Sequence, residues 1–229
     1  MRRVAALMLL LSLSAHAGRP LNTDDAAYLE DKACQLESWI DRSRDATFAW
    51  MAPACNFGFG IEWQAGFGRL DFGGLSRFAE SYLQAKTAWG ALSEGGWSVG
   101  GVAGVTRHKL DVTDHKWDNP YVTIPLSVRL DEALTIVHVN VGWTRERALG
   151  RDFTTWGLAA ERTLASQLTL LAEVFGVDRA SPFWRIGARY PAIKDRLDLD
   201  LSVVTRSGGS RSDRLVSIGF HAQMPPFLP

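Results

Sequence analysis

Two cysteines and five histidines are the chain's whole stock of soft metal ligands in 229 residues. So few cysteines cannot build a four-thiolate zinc ribbon or a disulfide-dense mini-scaffold. Neither sign of charge is in excess, with 25 basic residues against 25 acidic. That balance leaves no surplus of cations for a phosphate backbone and argues against nucleic acid as a partner. Past the first few residues no apolar run approaches the roughly 20 residues of a spanning helix. Apolar content is not scarce, at 46% hydrophobic and 10% aromatic, enough to offset the entropy of ordering and exclude disorder. If the chain meets a membrane, it must do so as strands.

The N-terminus has the layout of a secretory leader. Arg2 and Arg3 give a basic start, Val4 to Leu13 an apolar stretch, and Ala15-His16-Ala17 a small-x-small cleavage site. Residues 1–17 are therefore expected to be removed as a signal peptide, and residues 18–32 to form a periplasmic lead-in.

After residue 30 the hydrophobic period is 2 rather than 3.6. Val122, Ile124, Leu126, Val128 and Leu130 alternate with Tyr121, Thr123, Pro125, Ser127 and Arg129. Val137, Val139, Val141 and Trp143 alternate with His138, Asn140, Gly142 and Thr144. Phe57 to Phe67 show the same pattern between glycines and polar residues. Turn-forming clusters then divide the chain into about twelve strands. The expected spans are 33–42, 47–54, 57–68, 76–89, 96–107, 120–130, 134–145, 152–162, 168–177, 183–190, 196–205 and 214–222. Most are longer than the usual soluble strand of about five or six residues and suit tilted bilayer crossings of about 9–11. Odd-numbered connections, such as 108–119 and 206–213, are longer on average and more charged than even-numbered ones. An even-stranded outer-membrane barrel with both termini periplasmic alternates its connections in this way.

Charge placement separates a membrane barrel from a soluble sandwich or lipocalin-like barrel, which would carry the same alternation turned inside out. The polar faces hold Glu62, Glu80, Lys86, Arg129, His138, Glu161, Glu173, Arg185, Arg189, Asp198 and Asp200, while the opposing faces are almost free of charge. A lipid-facing band excludes mid-plane Arg or Lys at about 2–4 kcal/mol each, and closure leaves no unpaired edge in hydrocarbon. The expected fold is an all-β, closed antiparallel transmembrane barrel over residues 33–222, with a tail at 223–229 and the charged residues lining the lumen. Trp39, Trp63, Trp89, Trp97, Trp143, Trp156 and Trp184 fall mostly in the outer thirds of their strands, as interfacial girdles do.

A hairpin turning at Ser43-Arg44-Asp45-Ala46 pairs residues whose numbers sum to 89. Cys34 then lies opposite Cys55 and Trp39 opposite Trp50. Directly opposed Cβ atoms are about 4.5–5.5 Å apart, within reach of a disulfide in an oxidising compartment.

Catalytic and metal chemistry is not visible along the chain. His138-Val139-Asn140 has no nucleophile two residues from the histidine, and His108 and His115 with Asp111, Asp114 and Asp118 form an exposed-loop mixture more consistent with solvation than with a metal. No cofactor is expected. The lumen itself remains, and mixed charges on facing strands are expected to pair. Twelve strands lie between barrels filled by side chains and those with open channels, so a narrow pore or binding barrel is allowed.

Arg19-Pro20-Leu21-Asn22-Thr23-Asp24-Asp25-Ala26, followed by Cys34-Gln35-Leu36-Glu37-Ser38-Trp39, resembles uncharacterised proteobacterial outer-membrane barrel proteins. It is also similar to the opening of an outer-membrane channel family named for the meta-pathway of phenol degradation. The resemblance implies an outer-membrane location, a barrel fold and uptake of small organic compounds, and it brings no catalytic residues. Expected partners are outer-membrane lipids, the barrel-assembly machinery and a small organic solute. The tail beyond Phe220 departs from barrels that end on the aromatic closing their last strand. A structural or surface-interaction barrel is the alternative function, and a rim-sited lipid-modifying enzyme a more distant one.

Overall fold

The alternation closes into one sheet. A computed structural model describes residues 19–72, 76–92, 96–110, 119–130, 135–164, 167–209 and 213–228; the expected leader at 1–17 and the 111–118 loop residues lie outside them. Twelve strands follow one another: β1 Cys34–Arg42, β2 Ala46–Asn56, β3 Glu62–Phe72, β4 Ser76–Ala91, β5 Trp97–Leu110, β6 Asn119–Leu130, β7 Thr135–Glu146, β8 Arg151–Thr163, β9 Thr169–Val177, β10 Phe183–Ile193, β11 Leu197–Arg206 and β12 Leu215–Met224. Each pairs antiparallel with its neighbours in sequence, and β12 returns to β1, closing the barrel without an edge. All strand ends that meet the termini lie on one side, taken here as the periplasmic end.

Which way the apolar side chains point decides the solvent. Ile124, Ile186 and Ile218 are 61%, 67% and 60% exposed on the outer surface, joined by Leu83, Val141, Leu158 and Leu201. Their strand neighbours of opposite parity, such as His138, Glu173, Asp200 and Ser217, are buried inside. A continuous exposed apolar surface of this kind needs a non-aqueous solvent, and an outward apolar band around a polar interior is the bilayer arrangement.

The interior is not uniformly polar. Trp39, Phe48, Trp50, Leu70 and Tyr82 cluster on the inner wall of β1–β4, and Phe175, Val177, Phe183 and Val204 on that of β9–β11. Trp39 and Trp50 sit opposite each other in the β1–β2 register and stack at 5.6 Å, and Cys34 and Cys55, paired in the same register, are joined as a disulfide. Trp39 is only 8% exposed. It therefore does not belong to an interfacial girdle: in β1 the odd positions face inward, and the ring packs on Trp50 instead of lipid. Trp63, Trp89, Trp97, Trp143 and Trp184 do face outward.

Most strand ends differ from the sequence reading by one to four residues, and two of the differences have a visible cause or consequence. Residues 57–61 precede β3 as a turn instead of opening it, because Gly58 and Gly60 adopt positive φ of 93° and 66°, a region open mainly to glycine. Beyond residue 222 the last strand continues to Met224, and the amides of Phe227 and Leu228 donate to the Lys32 carbonyl.

Candidate functional site

Residues 19–33 do not trail into the periplasm as a lead-in. They run inside the barrel, because an extended coil must satisfy its backbone groups and the wall offers acceptors and donors in sequence around it. Near the periplasmic end Lys32 N donates to Asn56 O (2.8 Å), and Asn56 Nδ2 donates to Leu29 O (2.8 Å). Leu29 N then donates to Glu62 Oε2 of β3 (2.9 Å). Ala26 N donates to Ser127 Oγ of β6 (2.8 Å), and Ala26 O accepts from Ser98 Oγ of β5 (2.7 Å). The Asn140 amide of β7, oriented by its hydrogen bonds, donates to Asp24 O at 2.9 Å. The amides of Asn22 and Thr23, with the Thr23 hydroxyl, converge on Glu173 of β9 at 2.9–3.0 Å. Arg19 finishes the circuit, donating from N to Glu37 Oε1 of β1 (3.1 Å) and from Nη2 to Asp200 Oδ1 (2.6 Å) and Ser217 Oγ (2.9 Å). The wall is cut to fit. A Cβ on Gly157 would lie 2.5 Å from Thr23 Oγ1, and one on Gly219 2.7 Å from Arg19 Nη2.

Most of the charged wall residues are tied to this segment or to each other. Lys86 Nζ lies 2.5 Å from Asp25 Oδ1 and 3.7 Å from Asp24 Oδ1. One cation thus faces two carboxylates. Burial pushes Asp24 up to about 8, with Lys86 opposing and Asp25, Glu62 and Glu37 reinforcing the shift; Asp25 holds the ion pair. Arg185 pairs with Glu173 at 3.3 Å, and Arg189 pairs with Glu161 while donating to Arg19 O at 2.9 Å. Glu80 is buried on β4. Arg129 lies at the periplasmic end of β6, where Nε donates to Leu92 O at 2.8 Å. Asp198 is 3.7 Å from His221 Nδ1. These two and Arg189 border both periplasmic-side cavities, of about 290 and about 400 Å³.

One juxtaposition was invisible along the chain. Ser127 lies across the β6–β7 ladder from His138, with Oγ 2.7 Å from Nδ1, and His138 Nε2 is 4.0 Å from Glu161 Oε1. Serine, histidine and carboxylate are therefore neighbours on three strands. The serine hydroxyl is fully buried, however, and already accepts from Ala26 N. Sequence reading also passed over Arg19, Asp24 and Asp25 as site residues, since a coil has no periodicity to mark them. Glu37 had a signal: it lies two residues from Trp39 on the same face of β1.

Comparison with known proteins adds the wider setting. The family described as "Uncharacterised conserved protein UCP029691" matches residues 5–224. No curated protein matches the chain in sequence. Among solved structures, a KdgM porin superposes with a TM-score of 0.66 at 8% identity, over 83% of this chain and 99% of that one. The KdgM porin in complex with disordered oligogalacturonate gives 0.65 at 10%, over the same shares. Outer membrane phospholipase A from Escherichia coli gives 0.50 at 12%, over 95% of this chain and 96% of that one. At such identities the likeness is one of fold. With the apolar belt, it places the protein in the outer membrane.

Proposed function

The chain belongs to the family matched over residues 5–224, and we propose that it is an outer-membrane barrel that passes or binds a small solute through a narrow charged lumen, held shut by its own residues 19–33. The observation carrying this reading is the segment itself: a wall this polar, occupied by a non-covalently held coil, becomes a passage when the coil withdraws. Residues 1–17 are removed on export, the barrel-assembly machinery inserts the strands, and outer-membrane lipids surround the belt. The likeness of the first residues to the phenol-degradation channel family favours small organic compounds. The oligogalacturonate of the KdgM complex does not carry over, because a polyanion would meet Glu37, Glu62, Glu173 and Asp200.

The reading needs no cofactor and no catalysis. Ser127 and His138 resemble part of a hydrolase site, but with the segment docked no substrate carbonyl reaches the serine, which lies buried under Ala26. Their role is to hold the segment. Phospholipid or ester turnover lost on His138→Ala would overturn that assignment. The channel is tested in planar bilayers: the parent shows low conductance, and Arg19→Ala, by breaking a buried ion pair at about 3–5 kcal/mol, raises the open fraction. Absence of current from both proteins with every small electrolyte tried would end the channel reading.

A further inference from the structure

The contacts of residues 19–33 describe what the lumen is built to hold. Backbone or side-chain N–H groups of the segment supply the hydrogen bonds of Glu37, Glu62 and Asp200, and most of those of Glu173. When the segment leaves, Glu173 keeps Arg185 and Glu161 keeps Arg189. Glu37, Glu62 and Asp200 lose those donors; Lys86 loses Asp24 and Asp25 and is left with Glu62, its neighbour across the β3–β4 ladder, so Glu37 and Asp200 are the carboxylates most exposed by the change. Buried carboxylates stripped of donors are costly, and an entering anion would add repulsion. The vacated wall therefore selects for N–H-bearing cations.

One place is more specific. The Arg19 guanidinium is held by Asp200 at 2.6 Å and Ser217 at 2.9 Å, and its Cζ lies 4.7 Å from the centre of the Trp39 ring, which is itself backed by Trp50. A carboxylate, a hydroxyl and an aromatic face around one flat cation make up a guanidinium-recognition site. Gly219 leaves the room that the group fills. The cavity of about 290 Å³ lined by Arg19, Glu37 and His221 adjoins it.

We infer that the Trp39–Asp200–Ser217 pocket is a binding site for a solute guanidinium or primary ammonium group, and that Arg19 occupies it in place of that solute. The inference rests on the channel-or-binding-barrel reading and names its solute class. Withdrawal of the segment and entry of the solute are then a single exchange of cations at Asp200.

Agmatine, a guanidinium and an ammonium on a short aliphatic chain, is the probe. Its binding to the detergent-solubilised full chain is followed by calorimetry and by the fluorescence of the lumen tryptophans, and ion selectivity is read from reversal potentials under a KCl gradient. Arg19→Ala vacates the pocket and is expected to bind agmatine about tenfold more tightly than the parent, the scale of one buried charge-assisted contact set free. Adding Asp200→Asn abolishes the gain. Arg19→Gln, which keeps a polar stem but removes the guanidinium and its charge, gives the same comparison if the alanine variant does not insert, as judged by heat-modifiable gel mobility. Agmatine binding no tighter in either vacated variant, or anion-selective current from them, overturns the inference while leaving a channel in place. Agmatine binding without any current supports the pocket and removes only the channel.

Discussion

Asp24 is the residue on which pH acts most directly. It faces Lys86 together with Asp25, Glu62 and Glu37, and burial pushes it from an ordinary 3.8 to about 8. Among the described residues its two carboxylate oxygens have no hydrogen-bond donor, which suits a group carrying its own proton. When the segment is released into water, Asp24 ionises at its ordinary value. Between pH about 4 and 8 the docked state thus holds one proton more than the released state, so raising the pH weakens docking through this window and no further above it. The expected result is release that increases from acid to pH 8 in the parent by more than in Asp24→Asn, the difference between the two being the Asp24 contribution. Maleimide labelling of an Asn22→Cys reporter along the pH series measures it. Equal slopes in the two proteins would show that Asp24 is not the titrating group. Residue-level chemistry was partly readable beforehand. Counting outward from residues 43–46 put Cys34 against Cys55 and Trp39 against Trp50. The same counting about a turn at 131–133 sets Ser127 against Val137, whereas the ladder sets it against His138. An error of one residue in the length of the turn, half a residue in its centre, shifts the register by one and sets each inward side chain against an outward one, and so the Ser127–His138 pair stayed hidden.

At the level of elements, the β1–β2 hairpin governs the mouth through which the segment passes. Its disulfide closes 21 residues of chain beside Asn56, which exchanges backbone hydrogen bonds with Lys32 and Ala33 at the segment's end. Loop-closure entropy makes such a bridge worth about 3 kcal/mol against unfolding. Cys34→Ser with Cys55→Ser is therefore expected to lower the thermal midpoint measured by circular dichroism by several degrees while the barrel still forms, since the β1–β2 and β1–β12 ladders remain. An unchanged midpoint would mean that the bridge constrains little beyond what the ladder already does. Strands announce themselves through a period of 2 sustained over nine to sixteen residues, which is why most of the expected spans lie within a few residues of the observed ones. The glycines at 58 and 60 broke the pattern where alternation alone seemed to continue, because side-chain periodicity carries no information about φ. Residues 19–33 left no comparable trace. Their hydrogen bonds reach up to 198 positions along the chain, from Arg19 to Ser217, and only the closed barrel brings those groups together.

For the molecule as a whole, the decisive quantity is the solvent outside the wall. Ile124 lies near the middle of β6 with its side chain outward and 61% exposed, flanked across the ladder by Val141, also exposed. In a bilayer, Ile124→Arg carries a charge into hydrocarbon and costs about 2–4 kcal/mol near the midplane. In water the same change replaces an exposed apolar group by a charged one and costs almost nothing, since surface substitutions usually fall within about 0.5 kcal/mol. Thr123, the next residue along the strand, is buried toward the lumen, so Thr123→Val alters only interior hydrogen bonding and serves as the control for a general weakness of β6. The expected outcome is a lower urea midpoint for Ile124→Arg in lipid vesicles, by more than for Thr123→Val, and a smaller loss in detergent micelles, whose surface yields to a charged side chain. Fractionation gives the companion observation: the parent stays with the membrane pellet and migrates anomalously on unheated gels. A variant as stable as the parent in vesicles, recovered from the soluble fraction, would require the apolar belt to face water or another protein, and the occupied interior would then have to be understood as the core of a soluble barrel.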